Sequence, residues 1–324
     1  MLFDHRSYSE MSVQRMRLFC ILTGLFAIMI CYNGFSQKYE TEKVKYRFID
    51  RERGNRKIPV DIFYPYDSSA SNVQGNSASD KKFPVICFGH GYLISGKWYS
   101  YITEILVPEG FILVFPDSET GLFPSHKALA GDISFAVNEI RKLDTDRSSP
   151  LFGRIDTLSC IMGHSMGGGS AVLAAVASRG IRALVALAPY DTRPSAVKAA
   201  ALVKVPALIF AGGNDCITPP EKHQLPIYNS SGSSEKTYIL IKGGTHCQMG
   251  VSHPKCSMGE RISGCRDVSI SMENQLNIIR RYLIPWLNYY LKSDNEAGVK
   301  FDSIIETDSG IEFLRSGPVR KLKD

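Results

Sequence analysis

One stretch near the middle of the chain restricts the fold more than any other. Ile155-Asp156-Thr157-Leu158-Ser159-Cys160-Ile161-Met162 is a short apolar run with the length of a buried strand. It leads into Gly163-His164-Ser165-Met166-Gly167 and then into Gly168-Gly169-Ser170-Ala171-Val172-Leu173-Ala174-Ala175-Val176-Ala177, small and apolar, which reads as a helix packed closely on a sheet. Strand, sharp turn and helix around G-x-S-x-G form the context of a nucleophile elbow, which holds its serine in strained backbone at the top of a sheet. Glycine is needed at 163 and 167 because any side chain there would collide with the neighbouring strand or helix. A turn of this kind needs a sheet edge to stand on, and a nucleophile needs partners.

A serine hydroxyl is a poor nucleophile at neutral pH without a histidine base, itself held by a carboxylate. Seven histidines are present. His5 lies in the N-terminal segment, and His164 is the variable residue of the elbow. His126, His223 and His253 stand in polar, loop-like surroundings, and His90 is expected to order its own loop by hydrogen bonds. His246 remains, in Gly243-Gly244-Thr245-His246 after the strand-like Lys236 to Ile241. Asp215 is found in the same way, in the turn Ala211-Gly212-Gly213-Asn214-Asp215 that follows the buried run Val205 to Phe210. It is thereby placed at the carboxyl edge of a parallel sheet, where the reactive groups of open α/β sheets gather. Asp117 and Asp191 also follow strand-like runs, Asp191 being the next alternative. Singly, Asp215 reads as a turn former and His246 as a loop histidine. Together with Ser165 they follow the chain order of α/β-hydrolases. An oxyanion formed on Ser165 wants two backbone donors. These are the amide of Met166, next after the serine, and that of Tyr92, in the loop Gly89-His90-Gly91-Tyr92 that closes the strand Phe83 to Phe88.

The remaining pattern supports an α/β fold of one domain, with a mostly parallel central sheet covered by helices on both faces. Val44 to Asp50 and Lys57 to Tyr64 read as an opening hairpin. Residues 67–82 are rich in Ser, Asn and Gly with no apolar period, hence a flexible surface loop. Strands at Gly110 to Pro116 and Ile181 to Leu187 and a helix over Ala128 to Leu143 follow. A helix over Gln275 to Leu291 carries Pro285, which should kink or interrupt it. Residues 298–324 read as a C-terminal extension, its basic tail Arg320-Lys321-Leu322-Lys323 a solvated end. Between Leu187 and Val205 there is room for a loop and a short helix but for no lid, which predicts an open, shallow cleft.

Residues 1–36 read as a cleaved signal peptide. Arg15 and Arg17 precede an uncharged run from Leu18 to Tyr32, and in the following Asn33-Gly34-Phe35-Ser36 small residues stand at −3 and −1 of a cleavage after Ser36, with a start at Met11 or Met16 leaving a more typical signal. The run is shorter than the roughly 20 apolar residues of a membrane span, so stable membrane insertion is not expected. The expected location is secreted or periplasmic, a setting that permits disulfides. Cys87 and Cys160 fall inside central strands and read as buried thiols. Cys216 follows the acid and Cys247 the base, which suggests a Cys216–Cys247 bridge, while Cys256 and Cys265 flank a Gly/Ser loop and suit a local one. A zinc site around His253 and Cys256 fits no zinc spacing, and neither metal nor cofactor is expected. The formal charge of +6 is scattered, without the basic stripe and interleaved aromatics of a nucleic-acid binder.

Gly163-His164-Ser165-Met166-Gly167-Gly168-Gly169, Gly91-Tyr92 with Trp98 in the next helix, Ala188-Pro189-Tyr190, Asn214-Asp215-Cys216-Ile217-Thr218-Pro219 and Gly243-Gly244-Thr245-His246 together resemble the motifs of bacterial cutinases and poly(ethylene terephthalate) hydrolases. These are relatives of the dienelactone hydrolases within the α/β-hydrolase superfamily, whose general scaffold chlorophyllases and platelet-activating-factor acetylhydrolases share. The likeness spans about residues 83–250. It implies triad roles for Ser165, Asp215 and His246, oxyanion amides at Tyr92 and Met166, and an ester-binding cleft lined by Tyr92, Tyr190 and Ile217. Tyr190 stands where those polyester hydrolases usually carry tryptophan. The expectation is an exported serine carboxylic-ester hydrolase acting on a small-molecule, lipid or polyester ester. An acyltransferase with the same triad and a non-catalytic binding protein on this scaffold are the alternatives.

Overall fold

The computed structural model describes residues 39–67, 81–250, 253–265 and 270–321. The expected signal peptide, nearly all of the 67–82 loop and the last three residues lie outside them. Strands β1 (Glu40–Asp50) and β2 (Arg56–Tyr66) form an antiparallel hairpin in the register Glu40↔Tyr66. The chain then alternates: β3 (Phe83–Gly89), α1 (Ser100–Leu106), β4 (Ile112–Pro116), α2 (His126–Glu139), β5 (Ile155–His164), α3 (Met166–Ala177), β6 (Ala183–Leu187), α4 (Ala196–Ala200), β7 (Ala207–Gly212), α5 (Gln224–Ser230) and β8 (Lys236–Ile241). Two helices on the C-terminal side of the base loop, α6 (Pro254–Ile262) and α7 (Met272–Lys292), precede α8 (Asn295–Ile305) and β9 (Ile311–Ser316).

The nine strands make one sheet in the order β1-β2-β4-β3-β5-β6-β7-β8-β9. From β4 to β8 every pairing is parallel, and the outer pairings are antiparallel. Parallel strands are buried on both faces and read as unbroken apolar runs, as β3, β4, β6 and β7 do. One face packs Leu129 and Ile133 of α2, Ala171 and Val172 of α3 and Ile227 of α5. The other packs Ile102 of α1, Leu283 and Trp286 of α7 and Phe301 of α8. Each fully buried aliphatic or aromatic side chain here stabilises the fold by about 1.5–3 kcal/mol. The hairpin is tied to α2 by charge: Asp132, fully buried, receives Arg53 at 2.7 Å and Arg56 at 2.6 Å.

The secondary structure and its packing depart from the sequence reading at several points. Residues 298–316 are no appendage, because α8 covers the sheet and β9 pairs along the whole of β8. Arg320 is held rather than free in solvent, its guanidinium 2.8 Å from Asp302 and beside the Tyr289 and Tyr290 rings. Helix α7 runs through Pro285 without interruption, since its apolar face is clamped against the sheet and outweighs one missing backbone bond. Trp98 lies in a single 3₁₀ turn before α1 rather than within a helix.

Candidate active site

Three loops meet at the carboxyl edge of the parallel strands. The first is the elbow. Ser165 has φ 56° and ψ −121°, a left-handed conformation that costs a non-glycine residue about 1–3 kcal/mol. Three backbone bonds hold it there: its N–H donates to Leu187 C=O at 2.9 Å, and its C=O accepts from Gly169 and Tyr190 at 3.0 Å each. The glycines behave as the sequence requires. A Cβ on Gly163 would strike the Gly167 carbonyl, and one on Gly167 would strike the carbonyls of Gly89 and His90.

The second and third loops bring Asp215 and His246. His246 Nε2 lies 2.8 Å from Ser165 Oγ, and His246 Nδ1 lies 2.7 Å from Asp215 Oδ2. All three residues are buried, Ser165 the most accessible at 8%. Asp215 Oδ2 also accepts the Thr218 hydroxyl at 2.8 Å, and Oδ1 accepts the Thr218 N–H at 2.7 Å. With the carboxylate so saturated, Nδ1 of His246 is the protonated nitrogen, leaving Nε2 as an acceptor facing the serine hydroxyl. Gln224 supports Thr218, its Nε2 lying 2.8 Å from the Thr218 carbonyl and 3.0 Å from that of Pro189. The alternative acids are occupied elsewhere. Asp191 caps α4 through Ser195 and the Val197 N–H, and Asp117 accepts the Gly96 N–H.

Met166 is the first residue of α3, so its N–H has no acceptor within the helix and is free for a ligand atom. Tyr92 follows Gly91, whose N–H donates to Tyr99 Oη at 2.9 Å. His90 is buried with its ring nitrogens 2.9 and 2.7 Å from the carbonyls of Gly91 and Ser118, ordering the loop as expected. Tyr92 is half exposed, and its hydroxyl donates to the Leu122 carbonyl at 2.8 Å. The Tyr190 ring stands between the imidazoles of His223 at 4.9 Å and His126 at 6.0 Å. Burial lowers the pKa of both histidines, and each Nδ1 accepts a backbone N–H, from Asp191 and Arg193 respectively. Ile217, by contrast, is half-buried against α6, beside Gly259.

His164 has a role that the sequence reading missed. Its Nε2–H donates to the His246 carbonyl at 3.1 Å, and its Nδ1 accepts from Tyr99 Oη at 2.8 Å. Gly91, Tyr99, His164 and His246 thus form one chain of hydrogen bonds from the early loop, through the elbow, to the base. Complete burial drives the His164 pKa well below that of a free imidazole, so it acts as a neutral strut. Gln275 is the other omission: it accepts the Thr245 N–H at 2.8 Å and donates to the Thr245 carbonyl at 2.9 Å.

The disulfides correct the expected pairing. The bridges are Cys216–Cys265 and Cys247–Cys256, not Cys216–Cys247 and Cys256–Cys265. Helix α6 lies against the loops that carry Asp215 and His246, so each loop cysteine meets a partner on or just after that helix instead of on the opposite loop. Cys87 and Cys160 are buried free thiols, and burial pushes both pKa values up. Among the described residues no group of three His, Cys, Asp or Glu side chains is arranged to hold a metal ion, and no helix is long and apolar enough to cross a membrane.

A parallel sheet that presents a strained serine beside a histidine and a buried carboxylate defines the class: the protein is an α/β-hydrolase. Residues 62–298 match the PETase family, described as PET hydrolase-like, and the chain belongs to that family. It is 26% identical over 238 residues to Cutinase 2 of Thermobifida cellulosilytica, covering 72% of this chain and 73% of that protein. Identity to Cutinase est1 of Thermobifida alba is 28% over 199 residues, covering 61% of this chain and 60% of that protein. It is 25% to the bis(hydroxyethyl) terephthalate hydrolase of Streptomyces coelicolor, over 72% of this chain and 62% of that protein. These matches make the protein a carboxylic ester hydrolase.

Proposed function

We propose that the protein is exported and hydrolyses carboxylic esters through an acyl-enzyme on Ser165. The observation that carries this reading is the continuous contact from Asp215 Oδ2 through His246 to Ser165 Oγ, at 2.7 and 2.8 Å. His246 Nε2 takes the hydroxyl proton as Oγ attacks the ester carbonyl, and Asp215 stabilises the imidazolium that forms. The developing oxyanion is received by the amides of Tyr92 and Met166. The imidazolium returns its proton to the leaving alcohol. Water, deprotonated in turn by His246, then releases the acid and frees Ser165.

Exposed apolar side chains near the site support a substrate class. Beside Tyr92, Leu122 and Phe123 are exposed, Phe123 almost entirely, and Met258 and Ile262 of α6 are exposed in the segment next to Ile217. Exposed apolar side chains on the segments next to Tyr92 and Ile217 suit esters with bulky apolar parts, and relatives named cutinase and terephthalate-ester hydrolase support the same class. Two disulfides and the signal-like N-terminus support export.

A panel of p-nitrophenyl esters of rising chain length, run beside a polyester film, tests the reading. Hydrolysis that disappears in Ser165→Ala supports it, and near-normal esterase activity in that variant refutes it. Added alcohol separates hydrolysis from acyl transfer: a hydrolase gives mostly free acid, a transferase mostly the new ester.

A further inference from the structure

The peptide group that joins His246 to Cys247 is gripped from both ends. Its carbonyl accepts from His164 Nε2–H at 3.1 Å, which anchors it to the elbow. Its N–H donates to Glu260 Oε1 at 2.9 Å, which anchors it to α6. A bond to a carboxylate is charge-assisted and about twice as strong as one between neutral groups. The C=O and N–H of one peptide share a plane, so holding both fixes the orientation of that plane, the direction in which the chain leaves the base and hence where its imidazole can reach.

Helix α6 is well placed to make such a grip rigid. Cys256, four residues before Glu260, is bonded to Cys247 in the base loop. Cys265, five residues after it, is bonded to Cys216 beside the acid, and its N–H donates to the Glu260 carbonyl at 3.0 Å. The N-cap residue His253 packs edge-on against Trp98, 4.2 Å between ring centroids, on the side of the Tyr92 loop. Gly259 faces Ile217. One short helix therefore touches the segments bearing the acid, the base and an oxyanion amide, with Glu260 between its two covalent anchors.

We propose that Glu260 is a positioning residue for His246, holding the Cys247 amide from a helix stapled across the catalytic loops. The inference rests on the reading of Ser165 as nucleophile and His246 as its base. Without an acceptor, the buried Cys247 N–H is left unpaired and the base loop shifts to relieve it. Displacement of a reacting group by about 1 Å lowers rate by up to about 100-fold.

The test compares Glu260→Ala and Glu260→Gln with the parent, using p-nitrophenyl butyrate and a fluorophosphonate probe. Glu260→Ala should lower kcat by about 10-fold or more, with KM within about 2-fold, and slow labelling of Ser165 in parallel. Glu260→Gln keeps an acceptor oxygen at the same reach and should recover kcat to within about 3-fold. A Cys247→Ser/Cys256→Ser double variant, which unpins α6 but leaves Glu260, should lose kcat in the same sense. The proposal is overturned if Glu260→Ala keeps kcat within about 2-fold, if the loss appears in KM, or if Gln fails to rescue a folded protein of unchanged Tm. Should the parent itself not label at Ser165, the underlying reading of the nucleophile fails instead.

Discussion

Replacing Asp215 with asparagine separates chemistry from stability at this site. The carboxylate accepts three bonds: His246 Nδ1–H at 2.7 Å, the Thr218 N–H at 2.7 Å and the Thr218 hydroxyl at 2.8 Å. In Asp215→Asn the carboxamide oxygen keeps the Thr218 N–H at the Oδ1 position. The NH2 group then occupies the Oδ2 position, facing the hydroxyl and the imidazole. The Thr218 hydroxyl can turn and accept. His246 can satisfy the new donor only by moving its proton from Nδ1 to Nε2, and the tautomer that results points a proton at Ser165 Oγ instead of a lone pair. Hydrogen bonds are exchanged rather than lost, so the stability change should stay near 1 kcal/mol. The rate should fall by about 10⁴-fold, equivalent to about 5.4 kcal/mol of transition-state stabilisation. Steady-state kinetics with p-nitrophenyl acetate and a thermal melt read the two effects independently. A variant with normal Tm and kcat within tenfold of the parent would show that Asp215 does not set the His246 tautomer.

Four other outcomes are expected. Gly167→Ala presses a methyl into the Gly89 and His90 carbonyls and should cost about 3 kcal/mol, lowering Tm by roughly 6–12 °C; an unchanged melt would contradict the close strand–helix approach. Burial depresses the pKa of His164, and to a lesser degree of His126, His223 and His253, so these groups bind protons less readily in the native state than in the unfolded chain. Stability is therefore at its full value above about pH 6.5 and falls as pH drops below it, by up to about 1.4 kcal/mol per pH unit for the fully buried His164 and by much less for the three solvent-screened histidines; chemical denaturation between pH 5 and 8 should show net proton uptake on unfolding. Cys87 and Cys160 should resist iodoacetamide in native buffer and react after denaturation, as peptide mass mapping would show, because burial suppresses their thiolates. Truncation after Gly310 removes β9 and bares the β8 edge, so the product should melt earlier and aggregate; a fully soluble, equally stable product would make the final strand dispensable.

How much of this molecule can be read in advance varies with the distance between cause and consequence. Ser165, Asp215 and His246 each follow directly on an apolar run that can only be a buried strand, so local pattern places all three at one sheet edge. Gln275, His164 and Glu260 leave no such trace, because their partners come from other loops, and Gln224 meets Thr218 within one loop through a turn that no sequence pattern marks. Thr218 offered a faint signal, three residues after Asp215 at the spacing of a capping side chain and N–H. Disulfide pairing was misread for a similar reason. Proximity to acid and base suggested Cys216 and Cys247 to each other, whereas a helix between the loops supplies both partners. β9 is hard to read because its inward set of Ile311, Phe313 and Arg315 is short and ends in a charge, while Glu312, Leu314 and Ser316 are exposed on its other face.

Acylation of Ser165 is the step on which the proposed chemistry turns. The purified protein should be treated with a fluorophosphonate, digested and mapped by mass spectrometry, with Ser165→Ala and Asp215→Asn in parallel. One adduct per molecule on the peptide containing Ser165, absent in Ser165→Ala and formed far more slowly in Asp215→Asn, is the result the account predicts. Ester hydrolysis by a folded protein that carries no adduct, or carries one on another residue, would contradict it.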